Sequence, residues 1–227
     1  SIKRLIRRLV LTRTYQMTSH VTDPAAEIAD GNNNYLHRMR IHRLEGEAIR
    51  DAMLTISGRL DRRQFGPSVP IYLTPFMEGR GRPKESGPLD GDGRRSIYVA
   101  IKRNFLSPMM LAFDTPAPFS TVGRRTESNV PAQALILMND PFVKQQAELW
   151  AARLMESESD HQARIAVLYE QAYARPPTEA EIAAATEFLE TQAASYGISN
   201  EALSGDKRVW SDLCHVMMTL KEFTFVE

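Results

Sequence analysis

The chain has one cysteine, Cys214, among its 227 residues. A single cysteine excludes an internal disulfide, a CxxC redox pair and the CxxCH site that attaches a c-type haem. Cys214 shares a helical stripe with Trp210, Leu213 and Met217, which predicts a buried apolar side chain and not a nucleophile. The sequence therefore predicts no cofactor in this chain.

Other signatures of chemistry are also lacking. No apolar run is long enough for a membrane span. The five histidines are scattered and form no HExxH or similar metal-ligand spacing. No GxSxG nucleophile elbow is present. Residues 79–82 (GRGR) lead into no helix that could hold a phosphate, and residues 90–93 (DGDG) lack the spacing of a calcium loop and predict a plain turn.

The net charge is zero, but the two signs are unevenly distributed. Residues 1–154 carry 23 Lys and Arg against 15 Asp and Glu, whereas residues 155–227 carry 5 against 13. One interpretation is that the two parts dock on one another or simply differ in their solvated faces. The other is that the basic part binds an anionic partner. The densest basic patch has no interleaved aromatic residues, so nucleic acid is disfavoured as a partner and a glycan remains a candidate. The patch comprises Lys3, Arg4, Arg7, Arg8 and Arg13.

The periodicity of apolar residues predicts a mainly α fold, with a basic, mixed part over residues 1–154 and an acidic helical part over residues 155–227. Residues 66–93 hold 11 of the 25 Gly and Pro residues and predict a long loop. Residues 94–102 alternate and predict a strand paired with residues 69–73 in a minor β-hairpin. We expect one compact unit cut from a larger protein. Further helices are predicted over residues 2–13, from about 41 to 60, after Pro131, from Asp140-Pro141, over 162–174, from a capping box at Thr178–Glu181 and from Trp210 to Leu220.

The predicted helix from residue 41 places a carboxylate on its own apolar face. Ile41, Leu44, Ala48 and Ile49 gather on one side at 100° per residue, and Glu45 falls inside their arc. A buried carboxylate is costly unless a cation or several donors meet it. The sequence therefore predicts a buried polar network, either a structural ion network or an acid/base site. Its candidate members are Glu45, Glu47 and Asp51, with Arg94, Arg95, Arg124 and Arg125 as partners.

Several segments, taken in order, carry a resemblance to a known family. They are Ser1–Ser19, His42–Asp61, Arg94–Val99, Phe113–Pro116, Gly123–Arg125, Val130–Val143, Leu168–Glu181 and Trp210–Val226. The chain resembles the C-terminal domain of unknown function found in large planctomycete proteins that also contain cytochrome-c-like domains. Gly46 departs from the family, which usually has Ala there, and residues 66–93 match no segment of it.

The resemblance implies an exported parent protein, periplasmic or at the cell surface, with any haem bound in its other domains. It supplies no established activity and no catalytic residues. Two hypotheses follow. The first is a non-catalytic interaction or scaffolding domain that docks on other domains of the parent or on a surface partner. The second is a carbohydrate-active hydrolase or glycan-binding domain that uses the cluster of Glu45, Glu47 and Asp51, since glycoside hydrolysis needs two carboxyl groups across a cleft.

Overall fold

The structure is a computed structural model that describes residues 1–119, 121–157, 160–199 and 202–226. Over these ranges it contains ten α-helices and one two-stranded antiparallel ladder, which confirms the predicted mainly α fold. None of the helices in these ranges has both the length and the apolar character needed to cross a membrane. The elements are α1 Ile2–Val10, α2 Pro24–Ala29, β1 His42–Arg43, α3 Gly46–Ile56, α4 Pro108–Ala112, α5 Pro131–Asn139, α6 Pro141–Ser157, α7 His161–Tyr173, α8 Glu179–Ser195, α9 Lys207–Thr219, α10 Lys221–Thr224 and β2 Phe225–Val226.

The chain divides into two compact units. Unit 1 comprises Ser1–Leu44 together with the end of the chain from Phe225, and unit 2 comprises Glu45–Thr224. The change in charge balance at residue 154 lies within α6 and marks no boundary between these units.

Unit 1 contains α1, α2 and the β1–β2 ladder, in which His42 pairs with Val226 and Arg43 with Phe225. The Asp23 carboxylate caps α2 by accepting hydrogen bonds from the backbone N–H groups of Ala25 and Ala26.

The core of unit 2 forms where α6 and α9 pack side by side, with α7 and α8 against them. Trp150 and Trp210 are fully buried there. Cys214 is also fully buried, as its place on the α9 stripe predicts, and burial raises the pKa of its thiol. One buried polar contact crosses this core, where the Ser57 hydroxyl donates to Gln146 Oε1 at 2.6 Å. Both side chains are buried, and this hydrogen bond satisfies the Ser57 hydroxyl and the Gln146 amide oxygen.

Two helix starts lie where the sequence predicts them. Asp140 Oδ1 accepts a hydrogen bond from the backbone N–H of Phe142 at 2.8 Å, at the beginning of α6. Thr178 and Glu181 form the reciprocal capping box of α8. Both predictions are confirmed because a cap depends only on residues within one turn of it.

Arg175, in the loop between α7 and α8, links α8 to α10. Its Nη2 donates to Glu181 Oε1 at 2.7 Å and its Nε donates to Glu222 Oε1 at 2.6 Å. The hydrogen bonds from Arg175 hold the pKa of Glu181 at about 2, well below its usual value, although desolvation opposes them.

The predicted β-hairpin between residues 69–73 and 94–102 is wrong. Residues Ser96–Tyr98 form a 3₁₀ turn, and Val69 and Val99 form a single isolated bridge that is parallel. The alternation that predicts a strand does not mark a buried face, because Ile97 and Ile101 are 76% and 67% exposed. The only two-stranded ladder in the described part of the chain is β1–β2.

Candidate functional site

Glu45 lies just outside the first turn of α3, as its N-cap residue. The predicted burial of Glu45 is wrong, because Ile41 and Leu44 precede the helix and cannot define its apolar arc. The side chain is 57% exposed and its Oε2 lies 3.2 Å from Arg125 Nη1. Glu45 is therefore a peripheral member of the predicted network.

Glu47, in the first turn of α3, is held more firmly. Arg125 donates two hydrogen bonds to it, from Nη1 to Oε2 at 2.8 Å and from Nη2 to Oε1 at 3.0 Å. Desolvation by burial raises the pKa of Glu47, but the hydrogen bonds from Arg125, a backbone hydrogen bond and the charge of Arg125 together outweigh it, and the net pKa is lowered. A carboxylate in this state is an acceptor and a poor proton donor at neutral pH.

Asp51 joins α3 to the segment that follows the long loop. Its Oδ1 accepts from the backbone N–H of Ser96 at 2.7 Å and from the Ser96 hydroxyl at 2.8 Å. Arg95 Nε donates to Asp51 Oδ2 at 3.2 Å, although the Arg95 side chain is 57% exposed. Asp51 thus accepts at least three hydrogen bonds and fixes residues 95–96 against the helix.

Arg50 is the central cation of this site, and it is not among the candidate residues that the sequence predicts. The buried guanidinium donates from Nη1 to the backbone oxygen of Arg94 at 3.0 Å and to Ser96 Oγ at 3.1 Å, and from Nη2 to the backbone oxygen of Asp90 at 2.7 Å. Burial lowers the pKa of Arg50, opposed by the nearby charges of Asp51 and Asp90. The position of Arg50 between Ile49 and Met53 on the buried face of α3 is the signal that could have identified it.

The four candidate arginines have different surroundings. Arg125 contacts Glu45 and Glu47, and Arg95 contacts Asp51. Arg94 is buried, but its Nη2 donates to the backbone oxygen of Phe65 at 2.8 Å and its guanidinium lies 4.2 Å from the centre of the Tyr98 ring.

Arg124 is exposed and forms no ion pair within the part of the chain that the structure describes. The structure therefore brings Glu47, Asp51, Arg95 and Arg125 together around α3, with Glu45 at the margin. Arg94 contributes its backbone oxygen.

A tight turn at Asp90–Gly93 delivers one of the acceptors for Arg50. Asp90 also accepts from Arg59 Nη2 at 2.7 Å through its carboxylate. Gly91 and Gly93 have φ values of +61° and +70°, and a Cβ on Gly93 would lie 2.0 Å from the backbone oxygen of Arg59. The turn requires glycine at that position, and it is the plain turn that the sequence predicts.

This network has the chemistry of a structural ion network that holds α3 against the segments packed on it. Each carboxylate faces an arginine or a backbone donor, and the described residues include no group of three or more His, Cys, Asp and Glu that could hold a metal ion. Breaking one member of a buried, hydrogen-bonded charge set strands its partner, which is why such sets lock elements together.

An apolar cavity of about 140 Å³ adjoins the network. Its walls come from α4, the beginning of α6 and the loop before Ser96, and Glu47, Arg50 and Ser96 form part of its polar side. The Phe142 ring in this wall lies 5.3 Å from the Arg50 guanidinium carbon.

The predicted anionic-partner surface lies on α1 of unit 1. All four basic candidates on this helix, Lys3, Arg4, Arg7 and Arg8, are exposed. Its apolar residues are exposed as well, and no residue of α1 is buried. These apolar residues are Ile2, Leu5, Ile6 and Leu9, at 78%, 57%, 53% and 54% exposure.

These features define a mainly helical domain whose polar centre fastens α3 to two loops beside an apolar cavity. The chain belongs to the family described as PSD1, Protein of unknown function (DUF1553), whose model matches residues 1–189. No curated protein matches the chain significantly, and no solved structure does. The predicted membership of a family of unknown function is confirmed.

Proposed function

We propose that this domain is a non-catalytic interaction module that docks through α1 onto another domain of a larger parent protein. The exposed apolar face of α1 is the observation that supports the proposal. A helix of nine residues with none buried gains little from packing, and isolated helices of this length are marginal in water. A partner that covers Ile2, Leu5, Ile6 and Leu9 supplies the missing burial.

The charges of α1 define the chemistry of that partner. Lys3, Arg4, Arg7 and Arg8 flank the apolar face, so the complementary surface is an apolar groove with an acidic rim. Nucleic acid or a sulfated glycan would neutralise the basic residues but would leave the apolar face in water. A folded protein surface pairs with the basic residues of α1 and also covers its apolar residues.

The resemblance to domains of large planctomycete proteins supports the parent that we propose. That parent is exported, lies in the periplasm or at the cell surface, and carries cytochrome-c-like domains. Haem is bound in those domains in this proposal, because this chain has one cysteine and a c-type attachment site needs two.

The geometry does not favour the alternative of a carbohydrate-active hydrolase or glycan-binding domain built on Glu45, Glu47 and Asp51. A glycosidase needs one carboxyl group that keeps its proton at working pH. Glu47 has a lowered pKa beside Arg125, and Asp51 accepts hydrogen bonds from Ser96 and Arg95. Glu47 and Asp51 act as hydrogen-bond acceptors in a structural ion network.

Calorimetry between this domain and the remainder of the parent polypeptide, at low and high salt, tests the proposal. We expect association that weakens with salt, because rim charges are screened over a Debye length of about 8 Å at physiological ionic strength. The triple variant R4E/R7E/R8E should weaken binding at least about tenfold, which corresponds to about 1.4 kcal/mol. Absence of binding at both salt concentrations overturns the proposal.

A matched control separates docking from net charge. The variant R62E/R103E/R124E makes the same change in charge at three other exposed arginines and should bind as the wild type does. The variant Leu5→Asp tests the apolar face and should also weaken association. Equal loss in the control and in R4E/R7E/R8E would attribute binding to charge alone and contradict a docking role for α1.

A further inference from the structure

The cavity beside α3 lies wholly in unit 2 and is walled mainly by apolar side chains. Ile71, Val99, Leu106, Met109 and Phe142 contribute to its lining. Its volume of about 140 Å³ is close to that of an engineered apolar cavity of about 150 Å³, which binds benzene. The space accommodates one six-membered ring or a compact branched aliphatic group.

Asp140 also lines the cavity, and its carboxylate determines the charge of the occupant. Its carboxylate accepts hydrogen bonds from the backbone N–H groups of Phe142 and Val143 at the start of α6. It forms no ion pair with any residue in the described ranges of the chain. Burial raises the pKa of Asp140 and outweighs those two hydrogen bonds.

The other charged groups of the lining are already compensated. Arg125 donates two hydrogen bonds to Glu47. Arg50 lies 3.8 Å from Asp51 and donates to three further oxygens. The cavity therefore has one carboxylate in excess, and an ammonium group is the complement to it.

We propose that this cavity binds a small organic cation, with a compact apolar or aromatic body and an ammonium group that pairs with Asp140. The apolar walls hold the body, and the excess carboxylate selects the cation over neutral and anionic molecules of the same shape. This site is independent of the docking surface on α1.

Calorimetry with benzylamine, which is protonated at pH 7, tests the proposal against benzyl alcohol and benzoate. We expect the ammonium compound to bind at least about tenfold more tightly than benzyl alcohol, with benzoate weakest. This comparison uses only the wild-type domain, so it does not depend on whether a variant folds. Equal affinities, or no measurable binding of benzylamine, overturn the proposal.

The variant Asp140→Asn assigns the preference to one residue. Asparagine caps helices about as well as aspartate, so α6 should remain intact. We expect D140N to bind benzylamine and benzyl alcohol equally. The variant Asp160→Asn makes the same change at the N-cap of α7, outside the cavity, and should keep the preference for benzylamine. A preference that survives D140N overturns the role of the carboxylate.

Discussion

Arg125 and Glu47 lie 78 positions apart and are joined by two hydrogen bonds of 2.8 and 3.0 Å. The pair fastens the segment before α5 to the first turn of α3. Both side chains remain partly accessible, at 36% and 29%. Solvent therefore screens the pair, and its contribution to the free energy of unfolding is small.

We expect Arg125→Ala to lower the free energy of unfolding by about 1 kcal/mol, the upper range for accessible pairs of good geometry. Chemical denaturation with urea measures this change. Arg124→Ala is the neighbouring control and should unfold at the wild-type midpoint, because Arg124 is exposed. A larger effect at Arg124 than at Arg125 would contradict the assignment of the partner.

Removal of the Asp51 side chain should destabilise the protein more than removal of the Arg95 side chain. Asp51→Ala removes the acceptor of the Ser96 N–H and hydroxyl, and it leaves Arg50 without its nearest carboxylate. We expect a loss of about 2–3 kcal/mol, since hydrogen bonds to charged groups are worth about 1.5–3 kcal/mol. Arg95→Ala removes only an exposed pair and should cost less than about 1 kcal/mol. Urea denaturation of both variants tests this order, and comparable losses would count against it.

Local features of this fold could be predicted from the sequence, and contacts between distant segments could not. The caps at Asp140 and Thr178 and the buried stripe of Cys214 depend on residues within a few positions of each. The four candidate arginines form two pairs, each preceded by a glycine, but nothing in their spacing distinguishes Arg125 as the partner of Glu47. That choice depends on the path of the chain over 78 positions.

The wrong prediction for Glu45 has a physical cause. The 100° periodicity places Glu45 on an apolar arc only if Ile41 and Leu44 belong to the helix. The backbone of Glu45 is extended, with φ −68° and ψ 150°, and α3 begins at Gly46. Helix starts without a side-chain cap are the least certain boundaries to predict, and Glu45 makes no capping hydrogen bond. Moving the start by a few residues moves Glu45 from the core to the surface.

The turn at Asp90–Gly93 should not tolerate a side chain at its last position. A Cβ on Gly93 would lie 2.0 Å from the backbone oxygen of Arg59, and φ is +70°. We expect Gly93→Ala to cost more than about 3 kcal/mol, which exceeds the roughly 1–2 kcal/mol of a left-handed conformation alone. Gly66→Ala is the control, because Gly66 has φ +92° and a Cβ added there would have no atom within 4 Å. Thermal unfolding of both variants separates the steric clash from the backbone strain, and equal losses would contradict the clash.

Stability should fall in acid through Glu181. Arg175 lowers the pKa of Glu181 from 4.5 to about 2 in the folded state. A carboxylate whose folded pKa is depressed stabilises the protein above its unfolded pKa, and the contribution is lost as the pH falls through the folded value. We expect Glu181→Gln to flatten the decline in unfolding free energy between pH 4.5 and about 2, by on the order of 1 kcal/mol after solvent screening. Denaturation curves at successive pH values measure the slope, and an unchanged slope contradicts this role.

Arg50 is the cation on which the polar centre depends. Its guanidinium serves the backbone oxygens of Asp90 and Arg94 and the hydroxyl of Ser96, which come from two turns of the chain. We expect Arg50→Ala to cost about 3–5 kcal/mol, because it strands these acceptors and the Asp51 carboxylate in a buried site. Arg50→Lys keeps the charge but cannot reproduce a planar fork that reaches three oxygens, so it should recover less than half of the loss. Urea denaturation of the two variants decides between geometry and charge. Full recovery by lysine would show that charge alone holds the turns on α3.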